Sequence, residues 1–188
     1  MIIDFEGMDG AGKTETAKAV ADILNYEYIQ KPMRMVFDKS QEGITARILD
    51  SLNEVNDNEF WALLLGAAQY YQSMLIKNKD VILDRYLPSN YYQHANEKNK
   101  ELFDYLVKAC VKPDLTIVLY VTPSERKRRL INRKDNNGDL DRFEDNDLPY
   151  ERIRRFLDNY NLNHYWINTT KMNKGEVVQK VVEIIRKI

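Results

Sequence analysis

The chain has 188 residues, 28 Lys and Arg against 29 Asp and Glu, a formal charge of -1 and 44% hydrophobic residues. At this length one core can bury about 70% of the surface the unfolded chain exposes, so a single domain over residues 1–188 is expected without covalent or metal staples. The balanced charge argues against a nucleic-acid-coating protein, whose affinity comes from surplus cations. A lone Cys110 beside only His94 and His164 leaves no disulfide framework or cysteine zinc site.

Short apolar runs of β type alternate with longer stretches of helical period, the pattern of βαβ units around a parallel sheet. In chain order the predicted strands are Ile2–Phe5, Tyr26–Ile29, Val81–Leu83, Leu115–Val121 and Tyr165–Ile167. The predicted helices are Lys13–Leu24, Ile44–Leu52, Glu59–Lys77, Lys100–Val111, Ser124–Arg133, Pro149–Asn161 and Gly175–Ile188. The sixth helix carries Ile153, Phe156, Leu157 and Tyr160 as one apolar stripe, with Pro149 in its first turn and Asp147 placed to cap it. Between the fifth and sixth helices the chain is rich in Asn, Asp and Gly, which predicts a surface lid over about residues 134–148. No apolar run approaches the roughly 20 residues of a membrane span, and Asp4 interrupts any signal-peptide pattern. The expectation is a cytoplasmic protein with no membrane partner.

Gly7-Met8-Asp9-Gly10-Ala11-Gly12-Lys13-Thr14 matches G-x-x-x-x-G-K-[ST] between the first predicted strand and helix. Such a loop turns its N–H groups onto a triphosphate. The helix N-terminus opening at Lys13, Thr14 and Glu15 adds partial positive charge, Lys13 supplies a cation for the β- and γ-phosphates, and Thr14 offers a hydroxyl to Mg2+.

Asp84 and Arg85 follow the third predicted strand at the carboxyl edge of the sheet, where open α/β sheets bind ligands. The acid suits Mg2+ or its waters and the guanidinium suits phosphate oxygens. Arg133 and Arg142 flank the polar excursion and are the cations expected to close over the transferred phosphoryl group. The run Arg126 to Arg129 reads more simply as a solvated helix face. The first third of the chain is acidic and the last third basic, which places the surplus cations around the predicted lid.

Taken together, Phe5 to Thr14, Asp84-Arg85-Tyr86 with Ser89-Asn90, Pro113-Asp114-Leu115 and Asp141-Arg142-Phe143-Glu144 resemble the thymidylate kinase family of P-loop nucleoside monophosphate kinases. The resemblance implies an α/β P-loop kinase fold with a five-stranded parallel sheet flanked by helices and a short basic lid. It also implies a homodimer, and transfer of the ATP γ-phosphate to a deoxynucleoside monophosphate with Mg2+. It assigns Asp9 to the acceptor sugar or metal shell, Lys13 and Thr14 to the donor phosphates and Mg2+, Arg85 to the acceptor phosphate, and Asn90 to the base edge. Gly10 stands where some members carry a loop arginine, which gives that role to the lid arginines.

Three departures accompany the resemblance. Gln30-Lys31-Pro32-Met33-Arg34 replaces the Arg-Glu-Pro motif, leaving Lys31 or Arg34 for the acceptor phosphate. Gly66 and Tyr70 fall where a thymine-stacking Phe and a base-bonding Arg are expected, so that Gly66 would make room and Tyr70 would stack on an altered or larger base. The stretch after Ser89 is one residue shorter, with Tyr92 the preferred screen of the sugar 2′ position. A deoxynucleoside kinase and an inactive nucleotide-binding homologue are the competing readings. A nucleoside kinase needs a carboxylate near the end of the second strand, where Lys31 stands, which leaves Glu6 or Asp84 to serve in that reading.

Overall fold

The computed structural model describes residues 1–38, 43–52, 54–133, 140, 143 and 145–188. Strands β1 (Ile2–Glu6), β2 (Glu27–Ile29), β3 (Val81–Asp84), β4 (Leu115–Tyr120) and β5 (His164–Asn168) form one sheet in the order β2-β3-β1-β4-β5. Every pairing is parallel, with Ile2 opposite Val81 and Ile3 opposite Leu115. The predicted five-stranded parallel sheet is the one observed.

Around it lie α1 (Lys13–Leu24), α2 (Pro32–Phe37), α3 (Ile44–Ser51), α4 (Asn58–Ile76), α5 (Leu87–His94), α6 (Lys100–Ala109), α7 (Pro123–Ile131), α8 (Leu148–Asn159) and α9 (Lys174–Ile185). The alternation of β1 divides the core in two. Ile3 and Phe5 pack with Val20 of α1 and Val181 of α9, whereas Ile2 faces the side covered by α4, α5, α6 and α8. None of the described helices is long and apolar enough to cross a membrane.

Helices α2 and α5 are absent from the sequence expectation. Both begin with Pro in the first turn. The N-terminus of α5 is satisfied from β1: Glu6 Oε1 accepts from Tyr86 N at 2.9 Å and Ser89 N at 3.1 Å. A cap supplied across 80 residues has no local signature. The predicted cap of α8 also differs. Asp147 makes no side-chain cap bond and accepts from Tyr120 Oη at 3.1 Å, while Asn146 Oδ1 takes the Leu148 N–H at 2.9 Å.

Candidate active site

Gly7 and Gly10 set the shape of the turn after β1. Gly7 has φ 136° and a Cβ there would stand 2.5 Å from the Leu119 carbonyl oxygen, so neither conformation nor space admits a side chain. Gly10 has φ 86°, and its Cβ would meet Arg126 Cγ at 3.0 Å. The turn is closed by Ala11 N donating to Met8 O at 3.1 Å. Gly12 is the N-cap of α1 and no side chain caps that helix, which leaves its first N–H groups for an anion. Glu15, in the first turn, is exposed and pairs with Lys174 at 2.9 Å.

Lys13 is buried, donates to Met8 O at 2.7 Å and lies 3.9 Å from Asp9. Burial and the neighbouring Arg85 charge lower its ammonium to about 7, against the pull of Asp9 and Asp84. Thr14 Oγ1 donates to Asp84 Oδ2 at 2.6 Å, and Tyr28 Oη donates to the same oxygen at 3.0 Å. Asp84 Oδ1 is buried with no hydrogen-bond partner among the described residues. A hydroxyl against a carboxylate with one oxygen unclaimed is a hard-oxygen donor set, which fits Mg2+ completed by phosphate oxygens and water.

Arg85 organises the opposite wall. Its backbone is left-handed, φ 75°, a conformation disfavoured for a long side chain and held by Arg85 N donating to Phe5 O at 3.1 Å. Nη1 donates to Gly7 O at 3.2 Å, Ser89 Oγ at 3.0 Å and Tyr92 Oη at 3.4 Å, and Nη2 donates to Asp9 Oδ1 at 2.6 Å. Burial would raise the Asp9 carboxyl, but Arg85, Lys13 and Lys31 outweigh it and hold Asp9 below its ordinary range. Lys31, the N-cap of α2, is lowered by the Arg85 charge first and by burial second, with Asp9 and Asp84 opposing. Arg34 adds its charge to the same field. The structure thus gathers Asp9, Arg85, Ser89 and Tyr92 beside the phosphate loop, with Lys31 and Arg34 exposed but near enough for their charges to act within the same group.

Asn90 and Tyr70 do not join them. Asn90 is 1% exposed and spends both amide hydrogens on Ala62 O and Gln69 Oε1, each at 3.0 Å, so it ties α5 to α4, and only its buried Oδ1 has no partner among the described residues. Tyr70 is 42% exposed, whereas Gln69 is buried and donates to Tyr86 O at 2.8 Å. Gly66 opens no room for a base either, because its vacant side-chain position is filled by Leu106 of α6, 2.9 Å from where a Cβ would lie. Sequence periodicity does not set the rotation of α4, because the helix is apolar on nearly every side, which erases the stripe that would mark its inner face. Arg133 lies just past the end of α7 and is exposed. Arg142, Asp141 and Glu144 lie outside the described residues, as do residues 134–139 of the expected lid.

Three residues of the site carried no decisive local signal. Tyr28 reaches Asp84 from the edge strand β2. Glu6 is fully buried, accepts from Ser89 Oγ at 2.5 Å and is raised by that burial against the pull of Arg85. Arg126, read from sequence as part of a solvated face, is 2% exposed against Gly10.

The sequence pattern of the thymidylate kinase family matches residues 5–181. The chain belongs to that family. A thymidylate kinase of Mycoplasma capricolum is 31% identical over 98% of this chain and 94% of its own, and a probable thymidylate kinase of Methanocaldococcus jannaschii is 29% identical over 100% and 97%. Among solved structures, Candida albicans thymidylate kinase shares the fold at TM-score 0.69 and 20% identity, covering 99% of this chain and 91% of that one. Deoxyadenosine kinase of M. mycoides, solved with dCMP and dCDP, shares it at TM-score 0.67 and 15% identity over the whole of both chains. Family membership makes the protein a phosphotransferase, a nucleoside monophosphate kinase of a family that takes ATP as phosphate donor.

Proposed function

We propose that the protein transfers the γ-phosphoryl group of ATP to the 5′-phosphate of dTMP or a related pyrimidine deoxynucleotide, serving nucleotide biosynthesis in the cytoplasm. The observation that carries this reading is the buried Arg85 guanidinium, tied to Asp9 and sharing its field with Lys31 and Arg34 beside the phosphate loop. A cluster of three cations suits an acceptor that is itself a phosphate. Such an acceptor is already ionised at neutral pH, so it needs charge neutralisation and alignment rather than a strong base.

In this scheme the loop N–H groups and Lys13 hold the donor phosphates, while Arg85, Lys31 and Arg34 hold the acceptor phosphate in line with them. Asp9 fixes Arg85, and Tyr92, at the Arg85 fork, bounds the sugar. Thr14 and Asp84 would hold Mg2+, which when bound neutralises the donor phosphates. Arg133 and Arg142 serve as cations of a lid over about residues 134–148 within one domain of residues 1–188. A nucleoside acceptor fits less well: Glu6 is sealed under two backbone N–H groups, Asp9 is held by Arg85, and Asp84 is taken by Thr14, Tyr28 and the proposed Mg2+, so none of these carboxylates is disposed to take a 5′-hydroxyl proton.

The homodimer is proposed through α4. Leu63, Tyr70 and Met74 share one face of that helix and are 57%, 42% and 57% exposed, an apolar stripe suited to a second copy of the chain.

The deciding experiment offers ATP and Mg2+ with each deoxynucleoside and ribonucleoside monophosphate, and separately with each nucleoside. Diphosphate formed fastest from dTMP or another pyrimidine deoxynucleotide supports the reading. Monophosphate formed from nucleosides would replace it with a deoxynucleoside kinase. ATP binding without any transfer would make the protein an inactive homologue.

A further inference from the structure

Helix α7 carries cations at four consecutive positions, and three of them keep contact with solvent. Lys127 and Arg128 are exposed, Arg128 and Arg129 pair with Glu125 at 2.7 and 2.9 Å, and the half-buried Arg129 also donates to Thr169 O at 2.7 Å. Arg126 does not. It heads the largest fully buried side chains among the described residues.

Its stem fills the space that Gly10 leaves open. Arg126 Cγ lies 3.0 Å, and its carbonyl oxygen 3.2 Å, from where a Cβ on Gly10 would be. Its guanidinium carbon stands 4.7 Å from the ring centre of Phe143, between α7 and α8, in a cation–π contact. The same charge acts on the Tyr120 and Tyr150 hydroxyls. Tyr150 Oη accepts from Met8 N at 3.4 Å and donates to Leu119 O at 3.0 Å, so it too touches the phosphate loop. Tyr120 Oη reaches Asp147 at the start of α8. The phosphate loop, the end of β4, the start of α8 and Phe143 therefore meet around one side chain.

A buried guanidinium is a costly filler for a packing gap that an apolar side chain would occupy at no electrostatic penalty. Its use is clearer as a two-sided contact, with its apolar stem against the loop and its cationic plane against an aromatic ring. We propose that Arg126 is a positioning residue that locks the donor phosphate loop to Phe143, so that seating of Phe143 and retention of the donor nucleotide are coupled. The inference rests on ATP being the nucleotide held by the loop and is independent of which acceptor is used.

The test compares Arg126→Met, Arg126→Ala and Phe143→Leu with the unaltered protein. It reads the dissociation rate of a fluorescent ATP analogue without acceptor, ATP hydrolysis without acceptor, kcat and KM for the monophosphate, and Tm. Arg126→Met keeps most of the stem volume and guards against simple misfolding. The expected result is dissociation about tenfold faster in both the Met and Leu variants, between the scales of an exposed and a desolvated cation–π contact. The double variant should be no worse than either single one, and the hydrolysis-to-transfer ratio should rise while KM for the monophosphate stays within about threefold. Guanidinium ion at low millimolar concentration should slow release from Arg126→Ala but not from Phe143→Leu. A lowered Tm with unchanged ATP dissociation in Arg126→Met and Phe143→Leu overturns the inference and leaves Arg126 a packing residue. Failure of the unaltered protein to bind ATP would instead count against the functional reading beneath it.

Discussion

Arg85 Nη2 lies 2.6 Å from Asp9 Oδ1, and this ion pair joins the phosphate loop to the end of β3. Each partner holds the other: Arg85 keeps Asp9 ionised against burial, and Asp9 fixes one arm of the guanidinium. Arg85→Lys retains charge but loses the fork that bonds Gly7, Ser89, Tyr92 and Asp9 at once. Its kcat/KM for the monophosphate is expected to fall by about 10²–10³, the scale of a lost electrostatic donor. Asp9→Asn should do less, because the other three acceptors remain. Steady-state kinetics with varied monophosphate measures both.

Lys13→Met is expected to lower kcat by a similar factor, roughly 10²–10³, since it removes the cation placed for the donor phosphates. The substitution leaves Met8 O without its 2.7 Å donor, so Tm should be followed in parallel. A rate loss much larger than any change in Tm identifies the charge as the cause.

Asp84 Oδ2 accepts from both Thr14 and Tyr28. Asp84→Asn should raise the Mg2+ concentration for half-maximal rate by about tenfold or more, as expected when a hard anionic ligand becomes neutral. Tyr28→Phe, which only frees the carboxylate to turn, should shift it by less, about two- to fivefold. Titration of activity with Mg2+ at saturating nucleotide gives both values.

Asp4 is fully buried on β1, with one oxygen near Thr116 Oγ1 at 3.5 Å and the other unbonded among the described residues. Burial and then the Glu6 charge raise its carboxyl well above the ordinary value. Because the folded form holds a proton that the unfolded chain releases, its contribution to stability is full below about pH 4 and is lost as pH climbs toward the raised value. Asp4→Asn removes that dependence. The variant is expected to gain about 1–3 kcal/mol over the unaltered protein at pH 8 and little at pH 4, measured by denaturant unfolding at both.

Met74→Glu on the exposed α4 stripe is expected to convert the proposed dimer to monomer with little change in monomer Tm, read by size-exclusion chromatography with light scattering. An unaltered protein that elutes as a monomer would refute the dimer directly.

The parts of this site legible in the sequence are those whose geometry is local. The spacing from Gly7 to Thr14 dictates its own loop and helix start, and Asp84-Arg85 follows from a strand ending in polar residues. Cross-chain features were not legible: Glu6 capping α5, Tyr28 reaching Asp84 and Arg126 filling the notch at Gly10 each depend on residues more than 50 positions apart. Helix α4 failed for a different reason. Leu63, Leu64, Leu65, Ala67 and Ala68 surround it with apolar surface, so only packing against Leu106 and α5 fixes that Gln69 faces inward and Tyr70 outward.

The central place of β1 bears on when the enzyme becomes active as it is made. The whole phosphate loop is encoded in the first 14 residues, yet its walls come from β3 and β4, and the Ile2 N–H bond to Asp114 spans 112 residues. Parallel pairings of that range form late, because chain closure must precede their reward. Nucleotide affinity should therefore emerge only with the slowest refolding phase, and a nascent chain should gain it only after residues 115–120 have left the ribosome.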